Sequence, residues 1–294
     1  MPKNAQEYIA AFQRGEDFAP PSVGLLRDGK PDSAAVQLLA SDLASDSPHA
    51  REKLVALLVD LGLRTDPLTP KGAEVLRDRQ IISALADAGL AKPDLGREAA
   101  MDALRKLVTS KDLAPFGEAF SAALDKSPSD ESFLLVAKAK PERAKPIVDR
   151  LARLPRWKDV ESAKIARAAL GSQEVESEFL AAANSANDGG SLAKALGPLA
   201  LIGTPRTLKA VAERLRTPLT IDMPGAYEKS VRLNVLEALL YNFPDQPVLY
   251  PNNILSEADY SAAEQFCVQT LGVKYTAPPP PFLTYRGYPI PLPR

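Results

Sequence analysis

Apolar residues recur along most of the chain at spacings of three and four. Val36, Leu39 and Leu43 form one stripe, and Leu54, Leu58 and Leu61 a second. Ile147, Leu151 and Leu154 form a third, and Leu208, Val211 and Leu215 a fourth. That spacing puts each set on one face of an α-helix. Apolar/polar alternation over the length of a strand is nearly absent. Residues 219–221 and 248–250 are the short candidates, and both sit among prolines. The pattern predicts helices at about residues 4–14, 33–44, 48–61, 73–88, 95–108, 112–124, 129–139, 142–153, 158–170, 174–186, 190–202, 205–216, 226–241 and 257–271.

Helix ends carry their own signals. Gly62, Gly89, Gly171, Gly203 and Gly272 each follow an apolar stretch, where glycine closes a helix in the left-handed conformation. Ser47-Pro48, Ser127-Pro128 and Thr204-Pro205 each set a hydroxyl at an N-cap and proline at the first helical position. Ser256 with Asp259 reads as a capping box. After the first helix, the elements fall into pairs that recur every ~30 to 45 residues, the spacing of an α-solenoid.

Three segments carry a more specific pattern. Asp46 and Pro48 precede a helix with Arg51 in its first turn and Leu61-Gly62 at its end. Leu54, Val55 and Leu58 stand three, four and seven residues after Arg51. Ala100, Met101 and Leu104 follow Arg97 at the same steps, as do Val235, Leu236 and Leu239 after Arg232. These segments resemble the second helix of a HEAT repeat, and Arg51 and Arg97 lie 46 residues apart, which suits that family's period. The resemblance spans residues 33–241. It implies an all-α fold, a right-handed α-solenoid of about six helix pairs. The expected organisation is an N-terminal helix and irregular connection at 1–32, the HEAT-like solenoid at 33–272 and a proline-rich tail at 273–294.

Composition narrows the chemistry. One His and one Cys in 294 residues cannot build a His/Cys zinc site, and neither a metal nor a cofactor is expected. A net charge of −1 lacks the overall basic excess of a nucleic-acid binder. No apolar run is long enough for a membrane span. The first residues have no signal-peptide core, so the sequence as it stands reads as cytoplasmic, or as exported if a signal peptide has been removed. A lone cysteine does not mark the compartment.

Four local motifs read as structure. Residues 24–30 match the spacing of a phosphate loop, but Pro31 stands where Ser or Thr should bind magnesium and no strand precedes it. Residues 184–190 resemble a calcium loop, yet Ala186 and Ala195 occupy ligand positions. His49 falls in the first turn of a helix without an orienting group. Cys267 shares an apolar face with Ala263, Phe266 and Leu271.

Residues 138–167 stand out. Ten cations face four acids there, a local balance of +6, and the only tryptophan lies among them. Arg143, Lys145, Arg150, Arg153, Arg156, Trp157 and Lys158 are the candidate partner-binding residues, because Arg and Trp are enriched at interface hot spots. The competing reading is a solvated helix face with Trp157 packed between repeats and Glu174, Glu176 and Glu178 partly neutralising the charge. The tail has two readings as well. Its four-proline run, residues 278–281, is polyproline II chemistry and a ligand for an aromatic groove. Alternatively Phe282, Tyr285, Tyr288, Ile290 and Leu292 fold back and cover the last helix pair.

The expected function is a non-enzymatic scaffold that binds a protein or peptide, acidic where it meets the basic segment. The alternatives are a nucleic-acid protein resembling the HEAT-like alkylpurine DNA glycosylases, or an accessory protein resembling the HEAT-type bilin lyases.

Overall fold

The computed structural model describes residues 2–16, 25–27, 30–43, 47–62, 79–90, 95–223, 227–251, 254 and 256–280. The chain is all-α in class, mostly helical with two short antiparallel ladders among the described residues. It divides into two compact units, residues 1–147 and 148–294.

The first unit holds α1 (Ala5–Gln13), α2 (Ser33–Asp42), α3 (Pro48–Gly62), α4 (Arg79–Leu90), α5 (Leu95–Leu107), α6 (Ser110–Leu113), α7 (Gly117–Lys126) and α8 (Asp130–Ala139). α9 (Ala144–Leu151) runs across the division. β1 (Leu26–Arg27) pairs with β2 (Lys30–Pro31) before α2. Apart from the one-turn α6, each helix from α1 to α5 packs on the next, and each from α1 to α3 also on the next but one. α4 then packs on α7, α5 on α8, and α7 on α8, so with α6 set aside the packing on the next but one continues, while α5 and α7 do not form a packed pair of their own.

The second unit holds α10 (Glu161–Ala169), α11 (Gln173–Ser185), α12 (Gly189–Ile202), α13 (Pro205–Glu213), α14 (Val231–Leu240) and α15 (Glu257–Leu271). The same rule operates from α10 through α14, and α13 also packs on α15. Its core includes Leu180, Leu192, Leu196, Val211, Leu215, Val235, Leu239 and Cys267. Burial of one such leucine stabilises by roughly 1.5–3 kcal/mol.

The residues that follow Arg51, Arg97 and Arg232 by three, four and seven are all buried, none more than 2% exposed. Arg97 and Arg232 are themselves buried. These three stripes therefore face inward as their spacing requires, whereas the stripe Ile147, Leu151, Leu154 breaks down, since Leu154 lies beyond the end of α9 and is 44% exposed.

Several elements differ from the sequence expectation. Residues 112–124 do not form one helix. Pro115 lacks an N–H, and a 3-10 turn at Ala114–Phe116 separates α6 from α7. Ser127 is the C-cap of α7; Ser129 caps α8, with Ser132 completing a reciprocal capping box. The expected helix at 226–241 begins at Val231. β3 (Thr220–Met223) and β4 (Tyr227–Ser230) form a hairpin instead, with Thr220 opposite Ser230 and Met223 opposite Tyr227. Residues 248–250, a strand candidate, lie at a 3-10 turn, Pro247–Leu249. Gly171, Gly203 and Gly272 take positive φ as expected, whereas Gly89 lies within α4 against Met101. Thr204-Pro205 opens α13 as read, and Ser256 is the N-cap of α15, although its hydroxyl bonds the Asp259 carboxylate rather than a backbone N–H. Residues 73–78 of the expected fourth helix, and Phe282, Tyr285, Tyr288, Ile290 and Leu292 of the tail, lie outside the described residues.

Candidate interaction surface

The basic segment is less helical than its periodicity implies. α9 stops at Leu151 and α10 starts at Glu161, because Pro155 cannot continue a helix. Successive turns fill the gap: the N–H of Leu154 donates to the Leu151 carbonyl, and those of Trp157 and Lys158 donate to the Leu154 carbonyl, each at 2.9 Å. Trp157 points inward and is only 7% exposed. Arg156 lies over its indole, 5.0 Å from the ring centroid. Arg153, Leu154, Pro155, Arg156, Lys158 and Asp159 are exposed around that anchor. Leu154 is 44% exposed, an apolar tip between two arginines.

The other predicted cations divide. Arg150 is exposed on the last turn of α9. Arg167 pairs with Asp149 at 3.7 Å. In the first unit, Arg143 and Lys145 are exposed, and Arg143 lies 3.9 Å from Glu118. Lys138 is not on the surface at all. It is 2% exposed, and its ammonium donates to the Arg105 carbonyl in the last turn of α5, where helical carbonyls lack intrahelical partners. Glu176 does not neutralise the basic segment either; it is buried, accepts from the Thr204 hydroxyl and lies 3.5 Å from Arg206 at the start of α13. Its negative charge sits where a helix N-terminus favours one.

The remaining sequence motifs are structural. Leu26–Arg27 and Lys30–Pro31 form a two-residue ladder, not a strand–loop–helix frame; Gly24 and Gly29 lie outside the described residues. Asp188 caps α12, accepting from the Ser191 N–H at 2.8 Å and hydroxyl at 2.6 Å. Those bonds hold its carboxyl below the usual range. His49 is half-buried in the first turn of α3. Cys267 is fully buried, and burial pushes its thiol up to about 11. Among the described residues no group of three or more His, Cys, Asp or Glu is placed to hold a metal ion. Nor is any described helix long and apolar enough to cross a membrane.

A second polar cluster escaped the sequence reading. Arg216, in the 3-10 turn after α13, donates to Glu264 of α15 at 3.1 and 2.9 Å. It also lies 4.8 Å from the Tyr275 ring centroid and donates to the Ala277 carbonyl. Arg232 of α14 donates to the Leu215 carbonyl at 2.8 Å and to Glu257 at 3.2 Å. It sits 3.5 Å from the Tyr260 centroid, and its donor reaches the Pro280 carbonyl at 3.5 Å. Val273 is buried and the Tyr275 hydroxyl donates to the Ala212 carbonyl at 3.0 Å, so residues 273–280 are docked on the second unit. The signal available in sequence was Arg232, placed in the HEAT-like pattern without a partner to name.

No protein-family model, curated protein or solved structure matches the chain.

Proposed function

We propose that the chain is a non-enzymatic interaction scaffold, a HEAT-like α-solenoid of about six helix pairs. Its turn at residues 152–160 receives an acidic protein or peptide segment. The helix succession supports the first part, since packing on the next and next-but-one element is how repeat arrays bury their apolar faces. The arrangement around Trp157 carries the second. A buried ring fixes the turn, and Arg153, Arg156 and Lys158 are displayed around an exposed Leu154. Cations displayed on an anchored turn beside an apolar contact suit a carboxylate-rich segment, because the turn's backbone does not have to be ordered on binding.

The test uses a fluorescein-labelled oligoglutamate peptide and the full chain, read by anisotropy at low and raised salt. Arg153→Glu with Arg156→Glu should weaken binding by roughly tenfold or more, and raised salt should weaken the parent's binding. Equal binding by the parent and the double variant overturns the assignment. So does salt-sensitive retention of a DNA duplex without retention of the peptide, which would favour the nucleic-acid alternative.

A further inference from the structure

The last helices repeat one polar unit twice. In each, an arginine is paired with a glutamate of α15, stacked on a tyrosine ring and bonded to a backbone carbonyl of the C-terminal segment. The glutamates, Glu257 and Glu264, are seven residues apart, two turns of helix or about 10 Å. The carbonyls, of Ala277 and Pro280, are three residues apart, one turn of polyproline II or about 9 Å. The two repeats match in length.

The chemistry of the segment fits that reading. Each proline fixes its own φ, and each residue before a proline is held out of the helical region. A chain with the sequence Ala-Pro-Pro-Pro-Pro is therefore extended before it binds and has no internal hydrogen bonds, which leaves its carbonyls free to accept. The guanidiniums are already neutralised by their glutamates, which favours a neutral carbonyl over a second carboxylate. The docked residues are not sealed into the core: Thr276, Ala277, Pro278 and Pro279 are exposed, whereas Val273 is buried.

We propose that Arg216 and Arg232, with Tyr260 and Tyr275, form a recognition site for proline-rich segments of a partner protein. In the free chain, residues 277–280 occupy it as an intramolecular ligand. The site reads main-chain carbonyls along one edge of the extended segment, and its partner chemistry is a run of prolines preceded by a small residue. It is independent of the basic turn at 152–160.

The test keeps the full chain. Pro278, Pro279 and Pro280 are replaced by glycine, which removes the stiffness of the internal ligand while Val273 and Tyr275 stay in place. The probe is a fluorescein-labelled peptide of residues 276–281, read by anisotropy. A tail that occupies the site nine-tenths of the time lowers apparent affinity roughly tenfold, so the glycine variant should bind the peptide about that much more tightly than the parent. Adding Arg216→Lys keeps the charge but removes the planar fork and the stacking, and should abolish the gain. A glycine variant with parental circular dichroism that binds no better than the parent overturns the proposal. Binding unaffected by Arg216→Lys also overturns it. A concentration-dependent dimer of the parent that excess peptide cannot dissolve would assign the site to tail exchange between two copies, and likewise overturns it.

Discussion

The guanidinium of Arg232 lies 3.5 Å from the centroid of the Tyr260 ring, joining α14 to α15 through a side chain that is only 3% exposed. Its Nε donates to the Leu215 carbonyl at 2.8 Å. Arg232→Met keeps the unbranched stem of the side chain but removes the guanidinium and leaves that carbonyl unsatisfied. A buried orphan acceptor costs about 1–3 kcal/mol. The Glu257 partner is 39% exposed and water can replace much of that pair, so it adds little. The urea midpoint should fall accordingly, with an unchanged slope. Arg232→Lys should recover only part of the loss, since an ammonium has neither the fork nor the stacking plane. A methionine variant with the parental midpoint would show that Arg232 is not a structural tie.

Gly189 opens α12 where its backbone meets β3. A Cβ there would overlap the carbonyl oxygen of Thr220 and approach Val231 Cγ2 to 3.1 Å. The obstacle is backbone in a paired strand, not the end of a flexible side chain. Gly189→Ala should therefore destabilise the second unit by about 1–3 kcal/mol despite alanine's better helix propensity. Gly197, in the same helix with no neighbour near its Cβ, is the control: Gly197→Ala should be neutral or stabilising. Thermal melts of the two variants check the contrast.

Within the basic turn, anchoring and display separate. Trp157 is 7% exposed, so Trp157→Ala should cost about 3–5 kcal/mol through the cavity it leaves. Arg153→Glu with Arg156→Glu changes exposed positions. Losing the Arg156 cation–π contact should cost only about 0.5–1 kcal/mol. Denaturation midpoints measured beside peptide binding should show a stability defect in the first variant and a binding defect in the second. A large loss of stability in the arginine variant would reassign those residues to structure.

What the sequence made legible is what is local. The stripe Leu208, Val211, Leu215 and the cap Thr204-Pro205 report on neighbours within one or two turns, and both stand as read. The first strand of the ladder was in view as the candidate at 219–221, but its partner at 227–230 was not, because those residues show no alternation and are a strand only through their pairing with Thr220–Met223. The burial of Lys138 was equally hidden, whereas a packed Trp157 was one of the two readings of the basic segment. Charge counts assign every lysine to the surface, and only packing against α5 takes one away. The arginine ladder depends on contacts 48 residues apart for Arg216 with Glu264 and 25 for Arg232 with Glu257, which no periodicity carries.

Cys267 and Tyr275 set the chain's response to alkali. Burial raises the thiol from 9.0 to about 11, and the neighbouring Tyr275 hydroxyl opposes the rise only in part. Burial also holds the Tyr275 phenol above its ordinary 10.0. Both groups are acids whose folded forms hold protons that the unfolded chain releases. Stability is therefore flat below the ordinary thiol value of 9.0 and falls as pH rises from there toward about 11. The slope should be on the order of 1 kcal/mol per pH unit where the thiol alone differs. Cys267→Ala removes the thiol's share and should flatten the first part of the decline, leaving the later part to Tyr275. Urea midpoints followed across that range test the sign. The same burial predicts that alkylation of the native thiol near neutral pH is slower than that of an exposed cysteine by roughly a hundredfold, the drop in thiolate fraction alone. Rapid labelling of the folded chain, or a midpoint that rises with alkali, would contradict the buried, protonated thiol at the centre of the second unit.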